Sequence, residues 1–476
     1  MPPHSLPAHL RAALAAAALL PAAALRAQPA AAPNDSAALA PAVDSIARAV
    51  LAATGVPSAS VAVVRHGRLA YAAAYGFARL APQAPATPAM RYGIGSISKQ
   101  FTAAALLLLQ QDGKLSLDDP VERWVPGLTR GRDVTLRQLL SHTSGYQDFW
   151  PQDYVPPEME RPVTAQAILD RWAKRPLDFE PGTRWQYSNT NYVIAGLAAE
   201  RASGVPFTRL VRERILRPLG IGSAVDFDSA GPGAIEPVGY MRYGLGPLHP
   251  ATSTGPGWMY AAGELAMTPS DLAKWDVSVI RQSLLSPASY REFERAVTLN
   301  DGTSTNYALG VYALTRAGHR VLDHGGEVAG FVAENTVLPD DSAAVVVLTN
   351  QDASEAAGAI ARGMTQLLTR AGPDAGEAAS AARARRVFEG LQRGAIDRGL
   401  FTPNANAYFS AQALRDFARS LGPLGAPASL SQTGRSLRGG MTFRSYRVRF
   451  PRRELVVTTF ETPDGLLEQY LVAPVG

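Results

Sequence analysis

The sequence predicts an α+β fold, in which an antiparallel sheet is flanked by helices and carries a helical subdomain, followed by a small C-terminal α+β domain. Residues 58–75 have the alternating, β-branched pattern of strands, the middle of the chain has helical patterns, and strand patterns return after residue 306. Beyond residue 376 helical segments come first and alternating runs follow. Hydrophobic residues make up 46% of the 476 residues and charged residues 18%, which favours a sizeable core over a disordered chain.

The first 27 residues have the pattern of a secretory signal peptide. Residues 10–25 (LRAALAAAALLPAAAL) form an acid-free apolar run that is short for a membrane span. Small residues at the candidate cleavage positions are Ala22, Ala24 and Ala27. The alternative is an Ala-rich surface helix. We expect residues 28–38 to be a disordered mature N-terminus, the mature protein to lack a membrane span, and the protein to be periplasmic or secreted in a bacterium.

The composition excludes several kinds of site. No Cys is present, so disulfides, thiolate metal ligands, a Cys nucleophile and a lipoprotein anchor are excluded. The 46 basic and 41 acidic residues leave a net charge of +5, without the basic run that nucleic-acid binding would need. The seven His residues form no metal-binding spacing, so we expect neither a metal nor a cofactor.

Turn and capping residues delimit the elements of the first predicted domain, residues 39–372. A turn at His66 and Gly67 joins a β-hairpin, and Gly113 and Gly204 each end a helix. The predicted helices are residues 98–112, 134–140, 164–173, 191–202, 272–280 and 356–368. The predicted strands are residues 58–64, 69–75, 307–314, 331–337 and 344–348. We expect these sequence-distant strands to share one antiparallel sheet.

A polar stretch with Gly and Pro at residues 371–376 predicts a linker to an accessory domain at residues 377–476. The predicted helices of this domain are residues 377–392 and 411–421, and its predicted strands are residues 442–450, 454–460 and 466–472. No residue in it stands out as catalytic.

A Ser-x-x-Lys sequence, Ser96 to Lys99, stands at the start of a predicted helix, after Gly93 and Gly95. Residues at i and i+3 share one face of a helix, so Lys99 can reach the Ser96 hydroxyl. A serine hydroxyl is a poor nucleophile until a neighbouring group takes its proton, and a desolvated lysine can share that task. The alternative is an N-cap serine beside an exposed lysine.

Two further patterns carry polar groups suited to a site. Tyr187 and Asn189 lie on one side of an extended loop, where the phenol can serve in proton transfer and the amide can hold a carbonyl or Lys99. His324 precedes Gly325 and Gly326, two glycines that would let a ligand approach a strand edge closely. Taken separately, these patterns also fit a buried tyrosine with a capping asparagine, and a hairpin turn.

The order Ser-x-x-Lys, Tyr-x-Asn, His-x-Gly resembles that of the serine β-lactamase and penicillin-binding protein superfamily, in its class C β-lactamase, D-alanyl-D-alanine carboxypeptidase and esterase branch. The resemblance covers about residues 40–370. Further similar blocks are residues 94–109 (IGSISKQFTAAALLLL), 139–145 (LLSHTSG), 181–192 (PGTRWQYSNTNY), 261–275 (AAGELAMTPSDLAKW) and 324–331 (HGGEVAGF). The resemblance implies a β-lactamase/transpeptidase-like fold.

The resemblance also implies a role for each residue. Ser96 would be the acylated nucleophile, and Lys99 and Tyr187 the proton-transfer pair, with the base at each step left open. Asn189 would orient Lys99 and the substrate, and Gly325 and Gly326 would keep a strand edge open to a substrate carbonyl. The backbone N–H groups of Ser96 and Glu327 would form the oxyanion hole.

One departure from the family pattern bears on the substrate. His324 stands where β-lactamases and carboxypeptidases often have a lysine that attracts a substrate carboxylate, and Glu327 adds a carboxylate close by. The sequence therefore predicts an exported serine hydrolase of esterase or D-amino-acid peptidase type, acting on a small-molecule or peptide substrate, with cell-wall-derived molecules among the candidates. The alternatives are a β-lactamase or D-Ala-D-Ala carboxypeptidase, and a catalytically silent binding protein. The oligomeric state is left open.

Overall fold

The computed structural model describes residues 35–150, 158–229, 235–369 and 377–475. The predicted signal peptide at residues 1–27 and the predicted linker at residues 371–376 lie outside these ranges, as do residues 28–34 of the predicted disordered N-terminus. Residues 35–38 differ from that expectation because they begin helix α1, Asp35–Thr54. The helix forms there because Leu39, Val43 and Ala47, four residues apart, are buried as one face.

Helix α1 also bears on the expected absence of a membrane span. In the part of the chain that the structure describes, the segment Ser36–Thr54 is long and apolar enough to cross a membrane, judged by length and composition alone. One face of it packs in a cluster with strand residues such as Val61 and Val347. That packing is typical of a surface helix of a globular domain.

The chain divides after Thr369 into two compact units, each with its own hydrophobic cluster. The first unit is built on a seven-stranded antiparallel sheet with strand order β3-β2-β1-β12-β11-β10-β9. Its strands are β1 Ser58–Arg65, β2 Arg68–Leu80, β3 Gln83–Pro85, β9 Tyr312–Arg316, β10 His319–Val328, β11 Phe331–Leu338 and β12 Ala343–Thr349. Val61 of the first strand is opposite Val347 of the last, which confirms that sequence-distant strands share one sheet.

Shorter strands in the first unit pair among themselves. They are β4 Tyr92–Gly93, β5 Val225–Asp226, β6 Tyr240–Arg242, β7 Leu248–Pro250 and β8 Leu265–Met267. Strand β8 lies between β4 and β5, and it brings the segment around residue 265 beside the segment that precedes Ser96.

The remaining helices of the first unit pack on the sheet or form the helical subdomain. They are α2 Ser98–Gln111, α3 Val121–Trp124, α4 Leu136–Leu140, α5 Ala165–Ile168, α6 Asn189–Ser203, α7 Phe207–Val211, α8 Tyr260–Gly263, α9 Pro269–Arg281, α10 Pro287–Glu294 and α11 Ala356–Thr369. Helix α4 begins at a capping box made by Thr135 and Gln138, and Gly204 ends α6 at φ 76°. Helix α2 is buried from Ser98 to Leu109, so Lys99, one of the catalytic candidates, lies in the interior of the unit.

The predicted strand at residues 307–314 is wrong over its first half. Tyr307, Ala308 and Leu309 are fully buried, which explains the strand-like pattern, but strand β9 starts only at Tyr312. The chain turns at Gly310, with φ 78°, because it passes close to α2: a Cβ at this position would lie 2.7 Å from the Lys99 carbonyl oxygen.

The second unit consists of helices followed by a four-stranded antiparallel meander. Its helices are α12 Glu377–Gln392, α13 Pro403–Tyr408 and α14 Ala411–Leu421, and its strands are β13 Ser429–Arg438, β14 Met441–Phe450, β15 Arg453–Glu461 and β16 Leu467–Pro474. Phe388 of α12 packs against Phe450 of β14 in its core. Strand β13 was not predicted because its sequence, SLSQTGRSLR, lacks an apolar alternation, as suits an edge strand.

Candidate active site

Ser96 lies in a 3₁₀ turn, Gly95–Ile97, that leads directly into α2. The turn requires glycine at position 95, where φ is 51° and a Cβ would lie 2.7 Å from the Glu327 backbone nitrogen. The turn and strand β10 therefore approach each other more closely than any side chain would permit. This contact sets Ser96 beside the strand that carries His324.

Lys99 is fully buried, and its Nζ contacts three oxygen atoms. They are Ser96 Oγ at 2.9 Å, Asn189 Oδ1 at 2.8 Å and the Ala262 carbonyl at 2.7 Å. Burial lowers the pKa of Lys99 to about 7, against the opposing effect of the carboxylates of Asp148 and Glu264. At neutral pH a large fraction of this amine is therefore unprotonated and can accept the proton of Ser96.

Tyr187 completes the group around the serine. Its ring centre lies 4.9 Å from Lys99 Nζ, and its hydroxyl interacts with Ser96. Burial raises the pKa of Tyr187 well above its usual value of 10, and the contact with Ser96 only partly offsets this. The phenol is thus a proton donor at neutral pH.

Asn189 opens helix α6, and a carboxylate fixes its side chain. Asp148 accepts the Asn189 backbone N–H at 2.8 Å and its side-chain amide at 3.3 Å, which turns Oδ1 of the amide towards Lys99. Burial raises the pKa of Asp148, partly offset by its hydrogen bonds from the Asn189 and Trp150 backbone N–H groups. Sequence analysis missed Asp148; the available signal was a lone acid three residues after the block that ends at Gly145.

His142, in the same block, was also missed as a site residue. Its Nδ1 accepts the backbone N–H of Ser188, the residue between Tyr187 and Asn189, at 3.2 Å. Its ring centre lies 4.3 Å from that of Tyr187. Burial, and after it the charge of Lys99, holds the pKa of His142 well below 6.5, so the ring stays neutral and keeps this acceptor.

His324 is buried in strand β10 and both of its ring nitrogens are engaged. Nδ1 contacts the Gly325 carbonyl at 2.5 Å, and Nε2 contacts the Tyr307 hydroxyl at 2.9 Å. Because a carbonyl can only accept, Nδ1 carries the proton and Nε2 accepts from the tyrosine. Burial lowers the pKa of His324 to about 3, so the imidazole is neutral at physiological pH.

The two glycines after His324 have different surroundings. Gly325 is exposed, whereas a Cβ on Gly326 would lie 1.9 Å from the Ile94 carbonyl oxygen. The second glycine thus accommodates the chain's own backbone beside Ser96. The backbone nitrogen of Ser96 also lies near this glycine, at 3.1 Å from such a Cβ, while the Glu327 carboxylate accepts the Ala353 N–H at 2.8 Å.

A cavity of about 210 Å³ opens beside the serine. Its polar lining includes Ser96, Tyr187, Asn189 and Glu327, whereas His324, Gly325 and Gly326 are not among its lining residues. The apolar part of the lining is rich in large side chains: Phe149, Trp150, Trp258, Met259 and Val328. Among the residues that the structure describes, no group of three or more His, Asp or Glu side chains could hold a metal ion.

Comparison with known proteins agrees with this geometry. A family model described as Beta-lactamase matches residues 43–369, more than half of the chain, and confirms the resemblance noted in the sequence. Penicillin-binding protein 4* of Bacillus subtilis is 26% identical over 311 residues, or 62% of this chain and 68% of the relative. The D-aminopeptidase of Brucella anthropi is 29% identical over 304 residues, 62% of this chain but only 56% of the longer relative.

A solved structure extends the likeness to the fold. The D-stereospecific amidohydrolase from Streptomyces sp. superposes with a TM-score of 0.60 at 29% identity, covering 69% of this chain and 98% of that protein. The α+β prediction is thereby confirmed, with a large antiparallel sheet flanked by helices and a small C-terminal unit.

Proposed function

The chain belongs to the beta-lactamase family of serine hydrolases, and from that premise we propose that it forms an acyl-enzyme at Ser96 and hydrolyses esters or amides whose recognition needs no substrate carboxylate. The observation that carries the proposal is the contact of Ser96 Oγ with a buried lysine whose pKa is about 7. D-amino-acid amides and short peptides are the favoured amides, since relatives bear the names D-aminopeptidase and D-stereospecific amidohydrolase.

Acylation begins with transfer of the Ser96 proton to Lys99. The unprotonated amine accepts the proton as the serine oxygen bonds to the substrate carbonyl carbon, and the carbonyl electron pair moves to its oxygen. We assign stabilisation of that oxyanion to the N–H groups of Ser96 and Glu327, an assignment supported by the close approach of their two segments at Gly95 and Gly326. Asn189 and Ala262 support this step by holding Lys99 against Ser96.

Departure of the leaving group needs a proton, because an alkoxide or amide anion leaves poorly. Tyr187 is protonated and touches Ser96, so it can pass the proton from Lys99 to the leaving oxygen or nitrogen. A water molecule then attacks the acyl carbon and gives a proton to the same pair. The bond between that carbon and Ser96 Oγ breaks, the serine oxygen takes the proton back, and the acid product leaves. Ser96 and Lys99 return to their starting state.

Substrate choice follows from the charge and size of the site. His324 is neutral and hydrogen-bonded to Tyr307, so it offers no cation for a carboxylate. Trp150, Trp258 and Met259 give the cavity of about 210 Å³ an apolar wall that suits a small apolar acyl side chain. These features favour the proposed substrates over β-lactams and D-Ala-D-Ala termini.

A substrate panel on the purified protein tests the proposal. We expect turnover of p-nitrophenyl acetate or of D-phenylalanine amide, a mass increase on Ser96 after fluorophosphonate treatment, and weak turnover of nitrocefin. Absence of both labelling and turnover would instead identify a silent binding protein on the same fold. Nitrocefin turnover equal to that of the best ester would identify a β-lactamase.

Export is part of the proposal and rests on residues 1–27. N-terminal sequencing of protein recovered from the periplasm or medium should give a start between about residue 21 and residue 31, the range in which signal peptidase sites of this pattern fall. A cytoplasmic protein starting at Met1 would contradict it.

A further inference from the structure

The segment at residues 257–262 forms part of the site from outside the three sequence motifs. Trp258 and Met259 line the cavity beside Ser96, and Ala262 accepts the Lys99 amine at 2.7 Å. The Ala261 carbonyl accepts the Thr102 hydroxyl of α2, also at 2.7 Å. The wall of the cavity and one of the three Lys99 contacts thus depend on the path of this segment.

Two backbone positions on this path have unusual conformations. Gly257 has φ 100°, and a Cβ there would lie 1.8 Å from the Val163 carbonyl oxygen. Tyr260, at the start of helix α8, has φ 35°, a value that residues with side chains seldom adopt. Such a conformation persists only where surrounding contacts over-determine it.

The backbone conformation at residues 257–260 is held by a carboxylate on another loop. Asp228 follows strand β5, and both of its oxygens accept the Met259 N–H at 3.1 Å. Its Oδ2 also accepts the N–H of Tyr260, the strained residue, at 2.7 Å. Helix α8 has four residues and its N-terminal Met259 offers no side-chain cap, so Asp228 supplies those acceptors.

We propose that Asp228 is a positioning residue of the hydrolase: it fixes residues 257–262 so that Trp258 and Met259 shape the acyl pocket and the Ala262 carbonyl holds Lys99 against Ser96. The inference rests on the proposed function of Ser96 and Lys99. Asp228 touches neither the cavity beside Ser96 nor Lys99. Through residues 257–262 it sets both the acyl selectivity and the rate of acylation.

The surroundings of Asp228 are consistent with an ionised acceptor. Burial, together with the nearby carboxylate of Asp226, raises its pKa to about 6, while hydrogen bonds from the Gly257, Met259 and Tyr260 N–H groups oppose the rise. The carboxyl of Glu264 also lies within electrostatic range. The N–H donors are thus what keeps the carboxylate charged at neutral pH.

The test compares Asp228→Ala and Asp228→Asn with the wild type. Rates of p-nitrophenyl acetate and p-nitrophenyl phenylacetate hydrolysis are divided by the active-site concentration from fluorophosphonate titration, so that misfolded enzyme does not count. The matched control is Asp119→Asn, since Asp119, in the loop between α2 and α3, also accepts a backbone N–H (Ser116, 2.9 Å) and an indole N–H (Trp124, 3.0 Å).

For Asp228→Ala we expect the acylation rate per active site to fall about tenfold or more, because a misplacement of about 1 Å in positioned groups can cost about a hundredfold. We also expect the ratio of the two ester rates to move towards one as the pocket wall loosens. Asp228→Asn keeps one acceptor oxygen, so its rate per active site and its ester ratio should lie between those of Asp228→Ala and the wild type. If Asp228→Ala does not fold, Asp228→Asn alone provides the test. The control should keep the wild-type ratio.

The outcomes separate this proposal from the proposed function. Normal per-site rates and a normal ester ratio in both Asp228 variants would overturn the positioning role while the serine hydrolase remained. Equal loss on both esters with an unchanged ratio would also overturn it, because the shape of the acyl pocket would then not depend on Asp228. A wild type that is neither labelled nor active would refute the function itself.

Discussion

The Nζ atom of Lys99, in the first turn of the buried helix α2, lies 2.9 Å from the hydroxyl oxygen of Ser96 in the 3₁₀ turn that precedes the helix. Both residues stand at the start of the helix, whose N-terminal dipole favours negative charge on Ser96 as it loses its proton. Desolvation at the same place lowers the pKa of Lys99 to about 7, so the pair combines a base and a nucleophile within hydrogen-bonding distance.

Ser96→Ala should reduce hydrolysis of p-nitrophenyl acetate by about a thousandfold or more, because removing a catalytic nucleophile leaves only binding and oxyanion stabilisation. Fluorophosphonate labelling, read by mass spectrometry, should disappear with the activity. Ser420→Ala, an exposed serine on α14, serves as the control and should retain both. Persistent labelling of Ser96→Ala would place the nucleophile elsewhere.

The pH profile should report the titration of Lys99. Above a pH of about 7 the amine is mostly unprotonated and can accept the Ser96 proton; below it the ammonium cannot. We therefore expect kcat/KM for a neutral ester to fall about tenfold per pH unit on the acid side of that value. The measurement is a profile from pH 5 to 9, and a rate that is flat from pH 5 to 8 would exclude Lys99 as the base.

Asp148→Asn should move that acid limb to lower pH. The Asp148 carboxylate raises the pKa of Lys99, so its removal lowers the pKa further and leaves more unprotonated amine at a given pH. At its plateau the rate should still drop, by about tenfold, because Asn189 loses a charged partner that orients it. An acid limb that stays in place or moves to higher pH would show that Asp148 does not act on Lys99.

The parts of the site that could be predicted from sequence are those that depend on local spacing. Ser96 and Lys99 are three residues apart, in the 3₁₀ turn and in the first turn of α2 that follows it, so local helical geometry brings them together. Asp148 contacts Asn189, and Asp228 contacts the segment at residues 257–262, from loops that only the tertiary fold places there. No periodicity marks such residues, and their partners are backbone N–H groups that carry no sequence signal.

The fold was predicted best where the spacing of apolar residues fitted only one type of secondary structure. Helix α12 has the predicted bounds, 377–392, because its buried face is regular. The strand predicted over residues 307–311 was wrong because a buried loop beside Lys99 has the apolar composition of a strand. Gly326 was expected to leave room for a ligand, but the space beside it is already occupied by the Ile94 carbonyl.

Limited proteolysis should cut first between the two units, at about residues 371–380, because linkers between separate cores are where few contacts protect the chain. We expect two stable fragments, with esterase activity in the one that contains Ser96. Mass spectrometry of a time course identifies the first cut. If other loops are cleaved first while this segment stays intact, the proposed boundary is wrong.

The last prediction concerns substrate charge. In relatives with a lysine in the third motif, that cation can anchor a substrate carboxylate, whereas His324 is neutral and its Nε2 accepts the Tyr307 hydroxyl. A close charge pair at an effective dielectric constant near 20 is worth up to about 4 kcal/mol before desolvation. Since about 1.4 kcal/mol corresponds to a tenfold change in rate, the absence of this charge pair should weaken kcat/KM for a cephalosporin by orders of magnitude relative to a neutral ester.

His324→Lys should therefore raise the ratio of nitrocefin to p-nitrophenyl acetate kcat/KM by about tenfold or more. The ratio matters because a second cation near Lys99 also changes the ester rate. His319→Lys, on the same strand but paired with Asp341 away from the site, should leave the ratio unchanged. A wild type that already hydrolyses nitrocefin as well as its best ester, or a His324→Lys ratio equal to the wild type, would remove charge as the basis of selectivity.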